Sequence, residues 1–438
     1  MGVVRGLRSG ATGVMDQVVL SGTSLAIGLA LARELPGEVF GAYAVTLAIS
    51  LIGLSLQVSL ITDPLVILGA GRSGDEQRSY FGTLLRMQTW AGAGMGVLTA
   101  AIAVIGLRMS PGSEVWAAVA GLAIATAPMH LQIFIRSALL ARLEPAKALL
   151  NDAIHCALRL ATLPLLMSLG MLSPFWVFVA QGIASVVSIL FAAGLCAEIL
   201  RPRQAPWGSV AREHWSYGKW MLGASGAHWF SGQSPLVLAA GMLSPLAAAG
   251  IKASMYLVSP VNVALTGLDG ILAPRASRLA SQDAGGLHRF LVRVFMLTTG
   301  GSLLYALLLF PVARPIMDIV YKGRYSDFLP IVTILLVDIV IRSMTRAPVL
   351  RMKIDQNTHR IFLAHTLCAV TAVIALGLLT PAWGVTGAAL SLPIASLVLL
   401  TSVLILSRRP WPSRAMKRSS SHVLEPASPS PRPSQGAS

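Results

Sequence analysis

Twelve apolar stretches run through this 438-residue chain, near 11–31, 41–68, 81–107, 114–135, 149–170, 174–197, 216–240, 246–271, 290–312, 328–350, 360–380 and 384–406. Each is long enough to supply the about 20 apolar residues with which a helix crosses a bilayer. Backbone in hydrocarbon must satisfy its own hydrogen bonds, and a helix does so within one segment. The pattern predicts an all-α integral membrane protein with 12 transmembrane helices.

The basic residues test that count. With the N-terminus placed in the cytoplasm, 27 of the 34 Lys and Arg residues fall on the cytoplasmic side, in the two termini and the even-numbered loops with their flanks. Five fall opposite: Arg33, Arg108, Arg314, Lys322 and Arg324. Arg159 and Lys252 remain deep in spans. Short cytoplasmic loops carry such an excess. A span count wrong by one would scramble the alternation, so both termini are expected in the cytoplasm.

Apolar residues make up 55% of the chain and charged residues 12%, too little charge to cover a soluble surface of this size. The net charge of +16 is spread over short loops, where insertion topology and anionic lipid account for it, so no nucleic-acid partner is expected. Cys156, Cys196 and Cys368 lie inside spans without metal-ligand spacing, so neither a metal nor a cofactor is expected. The first apolar run lacks the short core and small-residue site of a cleaved signal and reads as an uncleaved span. The expected division is a six-helix bundle over 1–200, a basic cytoplasmic linker over 201–215, a second six-helix bundle over 216–406, and a disordered cytoplasmic tail over 407–438 rich in Ser, Pro and Arg.

The two halves echo each other. Ser21-Gly22-Thr23-Ser24 in span 1 precedes Pro36, Gly41, Tyr43 and Ala44, and Pro64 closes span 2. Ser231-Gly232-Gln233-Ser234 in span 7 precedes Pro245, Gly250, Lys252 and Ala253, and Pro274 closes span 8. The offset runs 210, then 209, then 210. An even number of spans between copies gives them the same orientation, the arrangement of transporters whose two bundles rock about a central site. Gly and Ser in spans 1 and 7 allow close helix approach. Prolines interrupt spans 4, 5, 7, 8, 10 and 12 (Pro128, Pro164, Pro235, Pro260, Pro348, Pro393), where they bend helices either statically or for gating.

Motifs of soluble chemistry are missing or out of context. Gly69-Ala70-Gly71-Arg72-Ser73-Gly74 fits G-x-G-x-x-G, but a transmembrane stretch precedes it and no acidic residue follows at the needed distance. It reads as a cytoplasmic turn. No Walker A sequence, H-E-x-x-H or G-x-S-x-G is present.

Ionisable residues inside spans are the better lead, because charge in lipid is costly and usually faces a cavity or a partner. His228 is mid-span 7, Lys252 lies in the outer third of span 8, and Asp338 is mid-span 10 with Arg342 and Arg346 on one face below it. Asp16 lies in span 1, and Asp152, His155 and Arg159 share a face of span 5. Asp338–Arg342 and Asp152–Arg159 can equally be neutralising structural pairs, Asp16 an inner-end cap, and Asp63 and Asp269 hydrated interfacial groups. Lys252 has no acid at i±3 or i±4, so it must snorkel, pair with another helix or face a hydrated cavity. His228, Lys252, Asp338, Arg342, Asp16 and Arg159 are the substrate-cavity candidates. A lysine and an arginine in one cavity suit a phosphate or pyrophosphate.

The run from Leu31 to Ala44, with Arg33, Leu35, Pro36, Phe40, Gly41 and Tyr43, resembles the first loop of polysaccharide or O-antigen flippases, "R-x-L-x-P-x-x-F/Y-G-x-Y". Pro274-Arg275-Ala276-Ser277-Arg278-Leu279 is similar to the family's "P-x-x-S-R-L". Tyr321-Lys322-Gly323-Arg324-Tyr325 is similar to its "G-x-x-Y" turn, and Trp383 to Ala389 to its "Y-G-V-x-G-A-A" entry to span 12. The resemblance covers about residues 12–406. It implies membership of the multidrug/oligosaccharidyl-lipid/polysaccharide exporter superfamily, two bundles around a central cavity, and alternating access. The implied cargo is an undecaprenyl-pyrophosphate-linked oligosaccharide, flipped across the cytoplasmic membrane for surface polysaccharide. Implied partners are that lipid-linked glycan, the bilayer, and glycosyltransferases or the polymerase of the same pathway. Lys252 departs from the pattern, which has Tyr there, as the first-half echo does with Tyr43.

A transporter rather than an enzyme is therefore expected. The alternative is an H⁺- or Na⁺-coupled drug or small-molecule antiporter of the same superfamily, with Asp16 or Asp338 as coupling carboxylate. A membrane glycosyltransferase, polymerase or ligase would need a larger external loop than any here.

Overall fold

A computed structural model of the chain describes residues 2–69, 72, 74–142, 144–195, 206–282, 284–355 and 357–408. Every regular element among them is helical. The helices are α1 (Gly2–Glu34), α2 (Gly37–Gln57), α3 (Asp63–Gly69), α4 (Gly74–Met109), α5 (Glu114–Ala141), α6 (Pro145–Ser168) and α7 (Pro174–Leu195). They continue as α8 (Trp207–Met242), α9 (Pro245–Gln282), α10 (Ala284–Tyr321), α11 (Leu329–Met344), α12 (Arg346–Ile354) and α13 (Thr358–Arg408). A π turn, Val58–Thr62, joins α2 to α3 without ending the rod.

Among the described residues, nine segments are long and apolar enough to cross a membrane. The last holds the apolar stretches 360–380 and 384–406, which are two helices meeting at Gly384. Gly384 has φ 57° and ψ −135°, a conformation that a side chain would strain. The helices α8 and α9 lie outside the nine because polar residues dilute their apolar runs.

Two boundaries differ from expectation. Span 9, expected to end near 312, continues as helix as far as Tyr321, with Pro311 and Pro315 inside α10. The linker expected over 201–215 is already helical from Trp207, with Pro206 at its N-cap and the good helix formers Ala211, Arg212 and Glu213 in its first turns. Residues 201–205, the tail from 409, and positions 70, 71 and 73 of the glycine-rich turn lie outside the described residues.

In the first half, α5 packs against α4 and α7, and α6 against α1 and α7. In the second, α13 packs against α8 and α11, and α11 also against α10. The halves meet through α2 on α8 and α9 and through α1 on α9, which are the segments carrying the sequence echo. Ala42, Ala44 and Ala48 of α2 and Ala247, Ala248, Ala249 and Ala253 of α9 are buried. Small residues let backbones approach where lipid removes any hydrophobic preference between helices. The outer rods α4 and α10 show the opposite pattern. Val97, Leu98 and Ile105 of α4 and Leu304, Leu307, Leu308 and Ile319 of α10 are exposed. In water each would forfeit about 1.5–3 kcal/mol of burial, whereas facing lipid tails they lose nothing.

One end of the junction between the halves is shut. At the start of α2, an ideal Cβ on Gly41 would stand 1.9 Å from the Pro245 carbonyl oxygen, so only glycine permits this crossing. Below it lies an aromatic plug. Tyr43 stacks on Phe178 with centroids 5.5 Å apart, and Phe40 meets Tyr325 at 6.1 Å. The Tyr321 hydroxyl donates to the Ala253 carbonyl at 2.9 Å. Above it the turn at 33–35 is strapped to the turn at 319–324. Arg33 donates to the Ile319 carbonyl at 3.0 Å, Lys322 pairs with Glu34 at 3.0 Å, and Arg324 donates to the Leu35 carbonyl. This is called the sealed end below.

Candidate substrate cavity

Beneath the sealed end a cavity of about 730 Å³ lies within the second half, between α8, α9, α11, α12 and α13. Its charged and titratable lining follows from helical spacing. Asp338, Arg342 and Arg346 repeat every four residues on α11 and the start of α12, and Lys353 follows two turns later. Lys252 of α9, His228 of α8 and His365 of α13 complete the set. Four basic side chains face one carboxylate, a net of +3 with the histidines neutral. That balance favours an anionic occupant.

The basic groups are not equivalent. Arg342 Nε is 2.8 Å from Asp338 Oδ2 and donates to Ser396 Oγ at 3.1 Å. Ser396 in turn donates to the second Asp338 oxygen. Arg342 is thus neutralised on its own helix and hydrogen-bonded to α13. Arg346 donates to the Leu265 carbonyl at 3.1 Å and ties α12 to α9. Lys252 has no carboxylate partner among the described residues; its Nζ stands 5.1 Å from the Tyr256 ring centroid. The rings of His228 and His365 meet edge-on with centroids 6.2 Å apart.

Of the six candidates read from the sequence, His228, Lys252, Asp338 and Arg342 come together here. Asp16 and Arg159 do not line the cavity. Asp16 of α1 is buried in the first half, in an ion pair with Arg136 of α5. Arg136 Nε also lies 2.6 Å from Asp152 Oδ2 of α6, and Gln132 donates to the other Asp152 oxygen at 2.8 Å. Arg136, not Arg159, is therefore the partner of Asp152. A seven-residue spacing on one helix is too long for a close pair, whereas Arg136 approaches from the neighbouring helix. Arg159 is half-buried, within electrostatic reach of Tyr43 and Tyr256.

Sequence reasoning missed Arg136, counted there as a loop-flanking cation although α5 continues to Ala141. It also missed His365 and Lys353. A signal for His365 was available: His155 lies 210 residues before it, the offset of the repeat. At the end opposite the seal, Arg72 pairs with Glu213 at 2.8 Å and lies over the Tyr80 ring at 3.7 Å. Tyr80 Oη and His214 Nε2 are 2.7 Å apart, so the start of α8 is fastened to the first half.

No family model matches the chain, and no curated protein sequence does. Solved structures do match. An inward-facing multidrug resistance MATE family transporter of the MOP superfamily aligns over 90% of this chain and 94% of its own, with TM-score 0.74 and 13% identity. An outward-facing MATE transporter of that superfamily aligns over 91% and 94%, with TM-score 0.63 and 13% identity. The lipid II flippase MurJ, inward closed, aligns over 93% and 87%, with TM-score 0.65 and 12% identity.

The chain has the fold of MOP-superfamily transporters. It is a multi-pass membrane protein, and the matched structures are those of transporters and a flippase. Identity at this level carries the fold and leaves the cargo to the site.

Proposed function

We propose that this protein is a twelve-span flippase or exporter of lipid-linked oligosaccharide, of the undecaprenyl-pyrophosphate type, in the cytoplasmic membrane. The observation that carries this reading is the cavity with four basic side chains and one carboxylate. A drug cation would be repelled there, and a pyrophosphate attracted. The two six-helix bundles are 1–200 and 216–406, with both termini in the cytoplasm. The sealed end holds Arg33, Lys322 and Arg324, from the side poor in basic residues, and so faces outward. In this orientation the cavity receives cargo from the cytoplasmic side. Opening the seal while the opposite end closes would release it outward. Glycosyltransferases or the polymerase of the pathway would supply or consume the glycan.

The second reading, an H⁺- or Na⁺-coupled antiporter, is favoured by the buried carboxylates Asp16 and Asp152 around a single arginine, which leave one negative charge uncompensated. The separating experiment is leaflet access of lipid-linked glycan in cells lacking the protein, read with an external lectin and with total lipid extracts. The flippase reading requires glycolipid to accumulate shielded from the lectin, and Lys252→Ala to reproduce this while still inserting. Unchanged external glycan, with lost drug efflux on Asp16→Asn, would establish the antiporter instead.

A further inference from the structure

The cations of the cavity lie at two depths. Gly250 of α9 is packed against Phe328, whose ring atoms lie 2.0 Å from an ideal Cβ on that glycine, so position 250 is level with the residue that opens α11. Counting down both helices at about 1.5 Å per residue puts Lys252 about 3 Å below that level. Arg342 then lies about 21 Å below it, Arg346 about 27 Å and Lys353 about 37 Å. The hydrogen bond from Arg346 to the Leu265 carbonyl checks the scale, since Leu265 is about 22 Å down α9. Along the helix axes the Lys252 backbone is therefore about 18 Å from that of the nearest of the other three.

The interval holds Asp338, which is taken up by Arg342, the apolar Met255, Val258 and Leu335, and a set of uncharged polar groups. Ser259, Asn262 and Thr266 follow Lys252 on α9 and line the same cavity. Their spacings from it, 7, 10 and 14 residues, keep all four on one face of the helix. Across the cavity Ser231 and Gln233 of α8 offer more hydroxyl and amide groups. A row of neutral donors and acceptors between two cationic zones suits a chain of sugars. The lower zone, nearest the basic end, is where carrier phosphates remain when the glycan is inserted. The upper zone then meets the end of the glycan farthest from the carrier.

Lys252 is placed as a receiver. Among the described residues it has no carboxylate partner, it stands over the Tyr256 ring, and Arg159 of the first half is within electrostatic reach of that same ring. In the matching place of the first half stands Tyr43, which is buried in the aromatic plug. A compact ammonium held without a counter-charge in a cavity gains most from a carboxylate brought by the ligand.

We infer that the cargo is an acidic oligosaccharide, carrying a uronic-acid-type carboxylate on a sugar distal to the carrier, and that Lys252 is the residue that selects it. The inference rests on the flippase reading of the cavity and deepens it. The test uses the full chain in lipid nanodiscs and two probes, each a trisaccharide on a short prenyl diphosphate. One ends in glucose and the other in glucuronic acid. The native protein binds the glucuronate probe about tenfold or more tightly, the worth of one charge-assisted hydrogen bond. Lys252→Met removes that preference, Lys252→Arg keeps it, and Lys353→Gln weakens both probes alike. Equal affinity of the native protein for the two probes overturns the inference and leaves the flippase reading standing. So does an equal loss of both probes in Lys252→Met, which would make Lys252 a phosphate ligand. If the native protein binds neither probe, the flippase reading falls and takes the inference with it.

Discussion

Arg136 of α5 and Arg342 of α11 lie on corresponding helices of the two halves, one turn out of the repeat's register, and end in opposite situations. Each is the fourth residue after a polar side chain on its helix, Gln132 in one case and Asp338 in the other. Where that residue is an acid, it takes the arginine for itself at 2.8 Å, and the helix stays free to border a cavity. Where it is an amide, the arginine is left to carboxylates on other helices, and Arg136 clamps α1, α5 and α6 together through Asp16 and Asp152. The residue at the i−4 position thus goes with a structural lock on α5 and with a cavity wall on α11. The first half is cross-linked by charge, and in the proposed function the second keeps Lys252 and Lys353 for a ligand.

The sharpest way to break this comparison is to remove each arginine in turn. Arg136→Met strands two carboxylates whose side chains are 0% and 4% exposed, and is expected to destabilise by about 3–5 kcal/mol. Arg342→Met leaves Asp338 with its Ser396 hydrogen bond beside a cavity that can hold water, and about 1–2 kcal/mol is expected. Thermal unfolding of the purified variants in one detergent ranks them. A loss for Arg342→Met as large as that for Arg136→Met would mean that the second half is locked by charge too.

How much of this was legible in the chain differs between fold and site. Long apolar runs and one-sided charge are properties of single segments, and bilayer physics acts on segments, so the helical membrane architecture could be read directly. Four cavity residues could be read for a similar reason, because an ionisable group in mid-span has few tolerable surroundings. Partner choice could not. Asp152 had a cation on its own helix face in Arg159, and nothing in the linear order shows that Arg136, 16 positions upstream of Asp152, would reach it from α5. The helix ends at Tyr321 and Trp207 were also misplaced, because prolines and charges that end helices in water are tolerated in long membrane rods.

The repeat itself offers a second comparison, between Gly41 and Gly250, which hold the same place in the two copies. A Cβ at Gly41 meets backbone of the other half, which cannot yield without parting α2 from α9. A Cβ at Gly250 meets the ring of Phe328, a side chain of the same half that can rotate. Gly41→Ala is expected to loosen the seal and Gly250→Ala to leave it shut. Spin labels at positions 34 and 322, introduced as Glu34→Cys and Lys322→Cys, would report the distance. Widening with Gly250→Ala and none with Gly41→Ala would remove Gly41 from the seal. With about 1–3 kcal/mol expected for overpacking against rigid backbone, Gly41→Ala should also show the lower melting temperature.

The smallest expected effect lies in the strap that joins the halves. Lys322 adopts φ 55°, a left-handed conformation that costs an ordinary residue about 1–2 kcal/mol, and its ion pair with Glu34 is exposed enough to return only about 0–1 kcal/mol. Lys322→Ala keeps the strain and loses the pair, so a slight destabilisation is expected. Lys322→Gly loses the pair and the strain together, so its melting temperature should equal or exceed that of the native chain. If Lys322→Gly proves less stable than the native chain, the pair is worth more than its exposure allows, and the strap is a second lock like Arg136. If it is the more stable, the two kinds of ion pair in this molecule divide by task. The buried one fastens helices within one half, and the exposed one, strained and weak, sits where the proposed transport cycle would part the halves.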